Sequence, residues 1–179
     1  MKPTRATSIL AAVLFAAALA AAVPAAAGEQ YVDATGYAVS GYDVVAYFDM
    51  AQAPVGAAQP DPVPGRADIT AAYNGATFAF ANAANRDRFL ADPARYAPAY
   101  DGHCAYGVAV GNKVPANPAL WRVVEGRLYL NITEDVAQSW SEDIPGYVAQ
   151  SEANWREVEL KPAADDPVPD FDPNDAPQE

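Results

Sequence analysis

The sequence predicts a single-domain α+β protein, with two β-hairpins forming a small antiparallel sheet and short helices packed on it. Three observations predict this. Asn74-Gly75 and Glu125-Gly126 each stand between short runs of alternating apolar residues, the pattern of a hairpin. Asn82 and Thr133, both good helix caps, follow the two hairpins. The remaining connections are short or rich in proline and glycine.

The elements follow in order. Lys2 and Arg5 precede an apolar run, Ile9 to Val23, and Ala25-Ala26-Ala27 precedes Gly28. That is the layout of a secretory signal peptide over residues 1–27, cleaved near Gly28. The run of about fifteen residues is short of the roughly 20 that cross a bilayer core, and no Arg-Arg pair marks the twin-arginine route. The expected location is periplasmic or secreted, with no stable membrane anchor after cleavage. Residues 28–160 then make one domain. After an entry segment, Gly41–Phe48 ("GYDVVAYF") alternates as a strand would, and Met50 to Asp68 reads as a loop. "ITAAY" and "ATFAF" flank Asn74-Gly75, which suits the two left-handed positions of a type I′ turn. "NAANRDRFLADPARY" gives a helix capped by Asn82, with Phe89 and Leu90 apolar, and Asp92-Pro93 restarts it.

Asp101 is the expected cap of a helix from Gly102 to about Val110. The second hairpin offers Trp121, Val123, Leu128 and Leu130 to the core. Thr133 caps "EDVAQSW", with Glu134 and Asp135 in its first turn, and a last helix is expected from about Tyr147 to Val158 with Trp155 inward. The tail, 161–179, carries five prolines and six acids and is expected to be disordered. No internal repeat is evident beyond the hairpins.

The chain has 11 basic and 23 acidic residues, a net charge of −12, and loss of Lys2 and Arg5 takes it near −14. Such a field repels nucleic acid and anionic lipid, favours cations including metal ions, and keeps an exported protein soluble.

The only histidine and only cysteine are adjacent, His103-Cys104. A lone cysteine makes no internal disulfide, which leaves a buried thiol, a reactive thiol, a metal ligand or an intermolecular bridge. In the first turn of the expected helix the dipole would lower the thiol pKa. Helix neighbours point about 100° apart, the wrong geometry for a cysteine nucleophile and its histidine base, so no catalytic residue is assigned. Tyr42, Asp43 and Tyr47 lie in the first block, Asp43 suited to bonding its own turn. Tyr96, Tyr100 and Tyr106, with Trp121, either pack in the core or line an aromatic pocket beside Cys104.

Three blocks together, "SGYDVVAYF" (40–48), "YNGATFAFANAANRDRFLADPARYAPAYDGHCAYGVAVG" (73–111) and "WRVVEGRLYLN" (121–131), followed by Trp140, Asp143 and "ANW" at 153–155, resemble exported YHS-domain proteins over roughly residues 31–158. Related metal-binding modules carry cysteines where this chain has Pro64, Ala81 and Asn85, so the resemblance implies the framework without that thiol site. What it leaves is a binding or accessory protein. Its expected ligand is a metal ion, copper before zinc, or a metal cofactor or small ligand, held by Cys104 and His103 with Tyr42, Asp43, Tyr100, Tyr106 and Trp121 nearby. A thiol-dependent redox protein or enzyme using Cys104, or an interaction module with an unidentified periplasmic partner, are the alternatives.

Overall fold

A computed structural model describes residues 28–169 and Phe171; the expected signal peptide, residues 1–27, and the end of the tail, 172–179, lie outside the described residues. Strand β1 (Arg66–Tyr73) pairs antiparallel with β2 (Ala76–Phe80), and β3 (Asn117–Val124) with β4 (Arg127–Asn131). The turns are as the sequence predicts: Asn74 and Gly75 have φ of 47° and 78°, Glu125 and Gly126 φ of 50° and 77°. The architecture is α+β. The hairpins do not join edge to edge as expected but form two separate two-stranded sheets. They meet through side chains instead, Phe78 and Phe80 sharing one apolar core with Trp121, Leu128 and Leu130.

Helix α1 (Ala83–Ala91) is capped by Asn82, whose Oδ1 accepts the Asn85 N–H at 2.9 Å, and α2 (Pro93–Tyr96) carries proline in its first turn. A short helix, α3 (Ala105–Ala109), precedes the second hairpin. Thr133 caps α4 (Glu134–Glu142). The last helix, α5 (Ile144–Val158), starts before the expected Tyr147 because Asp143 Oδ1 caps it, accepting the Gly146 N–H, and Pro145 fits its first turn. Trp155 is half-buried, its ring against Tyr100.

Three expectations need correction. Gly41–Phe48 is not a strand. Val39, Ser40 and Gly41 form a left-handed turn, Tyr42 makes one bridge to Pro64, and Ala46–Phe48 is a 3-10 turn. The Asp43 carboxylate causes this, since its Oδ1 accepts the Val45 and Ala46 N–H groups and folds the chain back. Second, β1 begins at Arg66, inside the expected loop, beyond an irregular register between Arg66 and Thr70. Third, the tail is not wholly free of the domain: Val168 is buried, the Phe171 ring meets Tyr42 at 6.4 Å, and the Ala164 N–H bonds to His103. Two apolar residues, the Ala163 and Ala164 N–H groups and the hydrogen bonds of Lys161 hold a stretch whose composition is otherwise that of a solvated chain.

An internal repeat, missed by sequence inspection, organises the whole domain. Each element of the second hairpin and its helix stands 51 positions after its counterpart: 66 to 117, 76 to 127, 83 to 134, with equal lengths throughout. Both hairpins carry the register irregularity at the same place. The preceding turns also match, 61 positions apart: Val39-Ser40-Gly41 has φ of 51°, 51° and 80°, and Tyr100-Asp101-Gly102 has 56°, 54° and 80°. Phe89 of α1 and Trp140 of α4, again 51 apart, are both buried. The domain is two copies of one turn, hairpin and helix unit.

Candidate functional site

Left-handed backbone at Tyr100, Asp101 and Gly102 sets the His103-Cys104 segment. It is unfavourable for residues with a Cβ by about 1–2 kcal/mol each and is kept by its surroundings. Asp101 is therefore not a helix cap, and the helix does not begin at Gly102. Cys104 itself caps α3: its Sγ accepts the Gly107 N–H at 3.4 Å, and the thiol faces Asn131 Oδ1 at 3.6 Å as donor. Asn131 Oδ1 also accepts the Tyr106 N–H at 3.2 Å.

The thiol is completely buried. Burial pushes its pKa up, outweighing the pull of the Gly107, Ile132 and Tyr106 N–H groups. This reverses the lowering expected from the helix start. A helix of five residues has a weak dipole, and desolvation of a thiolate is the larger effect.

His103 is equally buried but serves a different network. Its Nδ1 lies 3.0 Å from the Tyr100 carbonyl, and its Nε2 accepts the Ala164 N–H at 3.3 Å. A carbonyl only accepts and an amide N–H only donates, so the imidazole is neutral with its proton on Nδ1. Burial pushes its pKa down to about 4. The Tyr31 ring leans on it at 5.8 Å. Both ring nitrogens are engaged away from Cys104, so the pair is neither a nucleophile with its base nor a chelate.

Asp43, the other buried polar side chain predicted to matter, has a full set of partners. Besides Val45 and Ala46, its Oδ2 accepts the Ala81 N–H at 2.9 Å and the Asn85 amide at 2.7 Å. Two of the positions where the resemblance would place metal-binding cysteines thus tie down this carboxylate. The third, Pro64, bridges to Tyr42. The residues present do not fit a soft metal ion. The one thiol is protonated and hydrogen-bonded, and among the described residues no group of three His, Cys, Asp or Glu side chains is placed to hold a metal.

Tyr42, Tyr96 and Trp121 share one apolar core with Cys104, with Tyr106 packed against it, and each aromatic candidate also has closer partners of its own. Tyr100 packs on Tyr129 and Trp155 and donates its hydroxyl to Glu152 Oε1 at 3.3 Å. Tyr106 stacks at a tilt on Tyr147, and Tyr96 packs edge-on against Phe48 beneath Arg88 and Arg95. Tyr42 faces Phe171. Trp121 packs on Tyr47 at 5.2 Å and donates its indole N–H to the Pro60 carbonyl at 2.9 Å, while the Tyr47 hydroxyl bonds the Pro118 carbonyl.

Of the aromatic candidates, Trp121 borders a cleft. About 210 Å³ in volume, it lies between residues 56–59, Leu120–Arg122 of β3, Asn131 at the end of β4, and Glu134, Gln138 and Trp140 of α4. Arg122 holds the loop in place by donating to the Ala53 and Pro54 carbonyls at 3.0 Å. Trp140 has its indole N–H buried with no partner among the described residues. Sequence reasoning missed Asn131 and Trp140. The repeat would have found Trp140, as the counterpart of Phe89 with a polar atom added. A larger open hollow of about 800 Å³ lies between residues 29–34, the Asn74-Gly75 turn and the tail residues 163–167, with Glu29, Asp33, Asp165 and Asp166 at its rim.

Comparison with family models, curated proteins and solved structures returns no match for this chain.

Proposed function

We propose that this chain is an exported binding or accessory protein of the YHS type, and that it takes a small molecule in the cleft between residues 56–59, β3 and α4. The observation that carries this reading is Trp140, which lines the cleft and whose indole N–H is buried with no partner among the described residues. A buried donor without an acceptor costs about 1–3 kcal/mol, a cost that a ligand carbonyl or carboxylate would remove. The mixture of indole surface, Asn131, Gln138 and a single cation, Arg122, suits an amphipathic molecule with one polar acceptor. Binding is favoured over catalysis because the only thiol and the only imidazole are buried and committed to other partners.

Three tryptophans give three separable indole signals. Titration with a panel of small carboxylates and amides, followed by ¹H–¹⁵N spectra, should move the Trp121 and Trp140 signals and leave Trp155 in place. Trp140→Phe should weaken that binding about tenfold, the equivalent of roughly 1.4 kcal/mol. A panel that moves neither signal at millimolar concentration refutes the cleft as the site.

A further inference from the structure

We propose that the chain is cut between Ala27 and Gly28 and that the folded domain binds the α-ammonium so created in a seat formed by Glu159 and Asp101. Four observations lead there. The Gly28 N–H donates to Glu159 Oε1 at 3.0 Å, tying Gly28 to the end of α5. Glu159 is the C-cap of the fifteen-residue helix α5, where the helix dipole favours a cation. Asp101 presses on Gly28 from the other side: a Cβ there would collide with Asp101 Oδ2 and come within 2.7 Å of Glu159 Cγ, so a side chain at this position would have to displace both carboxylate side chains. Asp101 Oδ1 accepts the Gln30 amide at 2.6 Å, but its Oδ2 is buried with no partner among the described residues.

A peptide nitrogen has one proton, and here Glu159 takes it. An ammonium has three and would supply the donor that Asp101 Oδ2 lacks. Charge points the same way. Asp101, Glu29 and Glu159 all act on Lys113, whose Nζ is spent on the Glu159 and Lys161 carbonyls at 3.2 and 2.9 Å. Neighbouring His103 is neutral. Burial and Glu159 push the Asp101 carboxyl up while Lys113 pulls it down, so a further cation relieves a carboxylate that the fold now disfavours.

The chemistry balances simply. Water attacks the Ala27 carbonyl and the C–N bond breaks. Ala27 leaves as a carboxylate, and the Gly28 nitrogen is protonated at neutral pH. The only co-reactants are water and an export peptidase that accepts small residues at Ala25 and Ala27. The seat rests on the expected export signal and is independent of the Trp140 cleft.

The test begins with the full chain expressed in a host that exports it. Intact mass and terminal sequencing should give Gly28 as the first residue. The mature protein is then compared with a form retaining Ala27 and with an Nα-acetylated form. The free form should melt about 3 °C above both. Its α-amine should react with an amine-directed ester at pH 7 about tenfold more slowly than in Asp101→Asn/Glu159→Gln. If that variant does not fold, the free and acetylated forms of the natural sequence decide. A different first residue overturns the proposal, as do equal melting of the free, extended and acetylated forms or equal amine reactivity in the natural and substituted proteins.

Discussion

Mild acid should destabilise this protein through a single side chain. Folded His103 has its pKa pushed down from 6.5 to about 4 by burial, because a charged imidazole would be desolvated and its Nε2 proton would point at the Ala164 N–H. Between pH 6.5 and 4 the unfolded chain binds a proton that the folded chain refuses, so stability falls as pH falls through this window and levels off below it. At 1.36 kcal/mol per pH unit the gap is worth about 3 kcal/mol, a large share of the 5–15 kcal/mol typical of a domain. Urea unfolding at pH 7, 5.5 and 4 reads this directly when natural protein is compared with His103→Asn. That amide can donate to the Tyr100 carbonyl but does not titrate. The natural protein should lose about 3 kcal/mol more than the variant, and Ala164 should exchange its amide proton faster at the acid end. With one histidine in the chain, its imidazole proton signals are unambiguous. Parallel pH profiles, or an imidazole titrating near 6.5, would refute the buried neutral tautomer.

Asp43→Ala strands the buried Val45 N–H and removes the acceptor of the half-buried Ala81 N–H and Asn85 amide, while the Ala46 N–H keeps the Asp43 carbonyl. The expected loss is about 3–5 kcal/mol by chemical denaturation, and a loss below 1 kcal/mol would show that the network is not structural. Glu125→Asn should do the opposite. Position 125 has φ of 50°, which glutamate adopts at a cost and asparagine, present at the matching Asn74, tolerates. A gain of about 2–4 °C in Tm is expected, and an unchanged or lower Tm would contradict the turn assignment.

What was legible in the sequence was what one or two adjacent residues decide. Asn74-Gly75, the caps Asn82 and Thr133, and Asp92-Pro93 each act within a few residues of themselves, and each does what its chemistry predicts. The failures have distant causes. Val44 and Val45 are both completely buried, so the apparent alternation of residues 41–48 was not that of a strand with one face to solvent; the partners that bend the segment include Ala81 and Asn85. Ala163, Ala164 and Phe171 find their contacts on Glu29, His103 and Tyr42, far away in the chain. The expectation for Asp101 failed because a usual capping residue lies in a left-handed turn that no local pattern announces.

The repeat resolves why histidine and cysteine are neighbours. Its 61-residue offset sets Tyr42-Asp43 against His103-Cys104, and the contacts follow residue by residue. Asp43 N donates to the Val63 carbonyl and Cys104 N to that of Val114, 51 positions on. Asp43 Oδ1 accepts the Ala46 N–H, and Cys104 Sγ accepts that of Gly107, its counterpart. Tyr42 and His103 both meet the C-terminal segment, one through Phe171 and one through Ala164. Each copy thus needs a tail-facing side chain followed by an acceptor that closes its own turn. The first copy fills the acceptor position with a carboxylate that has enough donors around it to stay satisfied when buried. The second offers fewer donors and an opposing acceptor, Asn131 Oδ1, against which a buried carboxylate would be repelled and a protonated thiol is not. Adjacency of the two rarest residues is therefore explained by two separate packing demands, one met by His103 against the Ala164 N–H and one by Cys104 against the Gly107 N–H and Asn131 Oδ1.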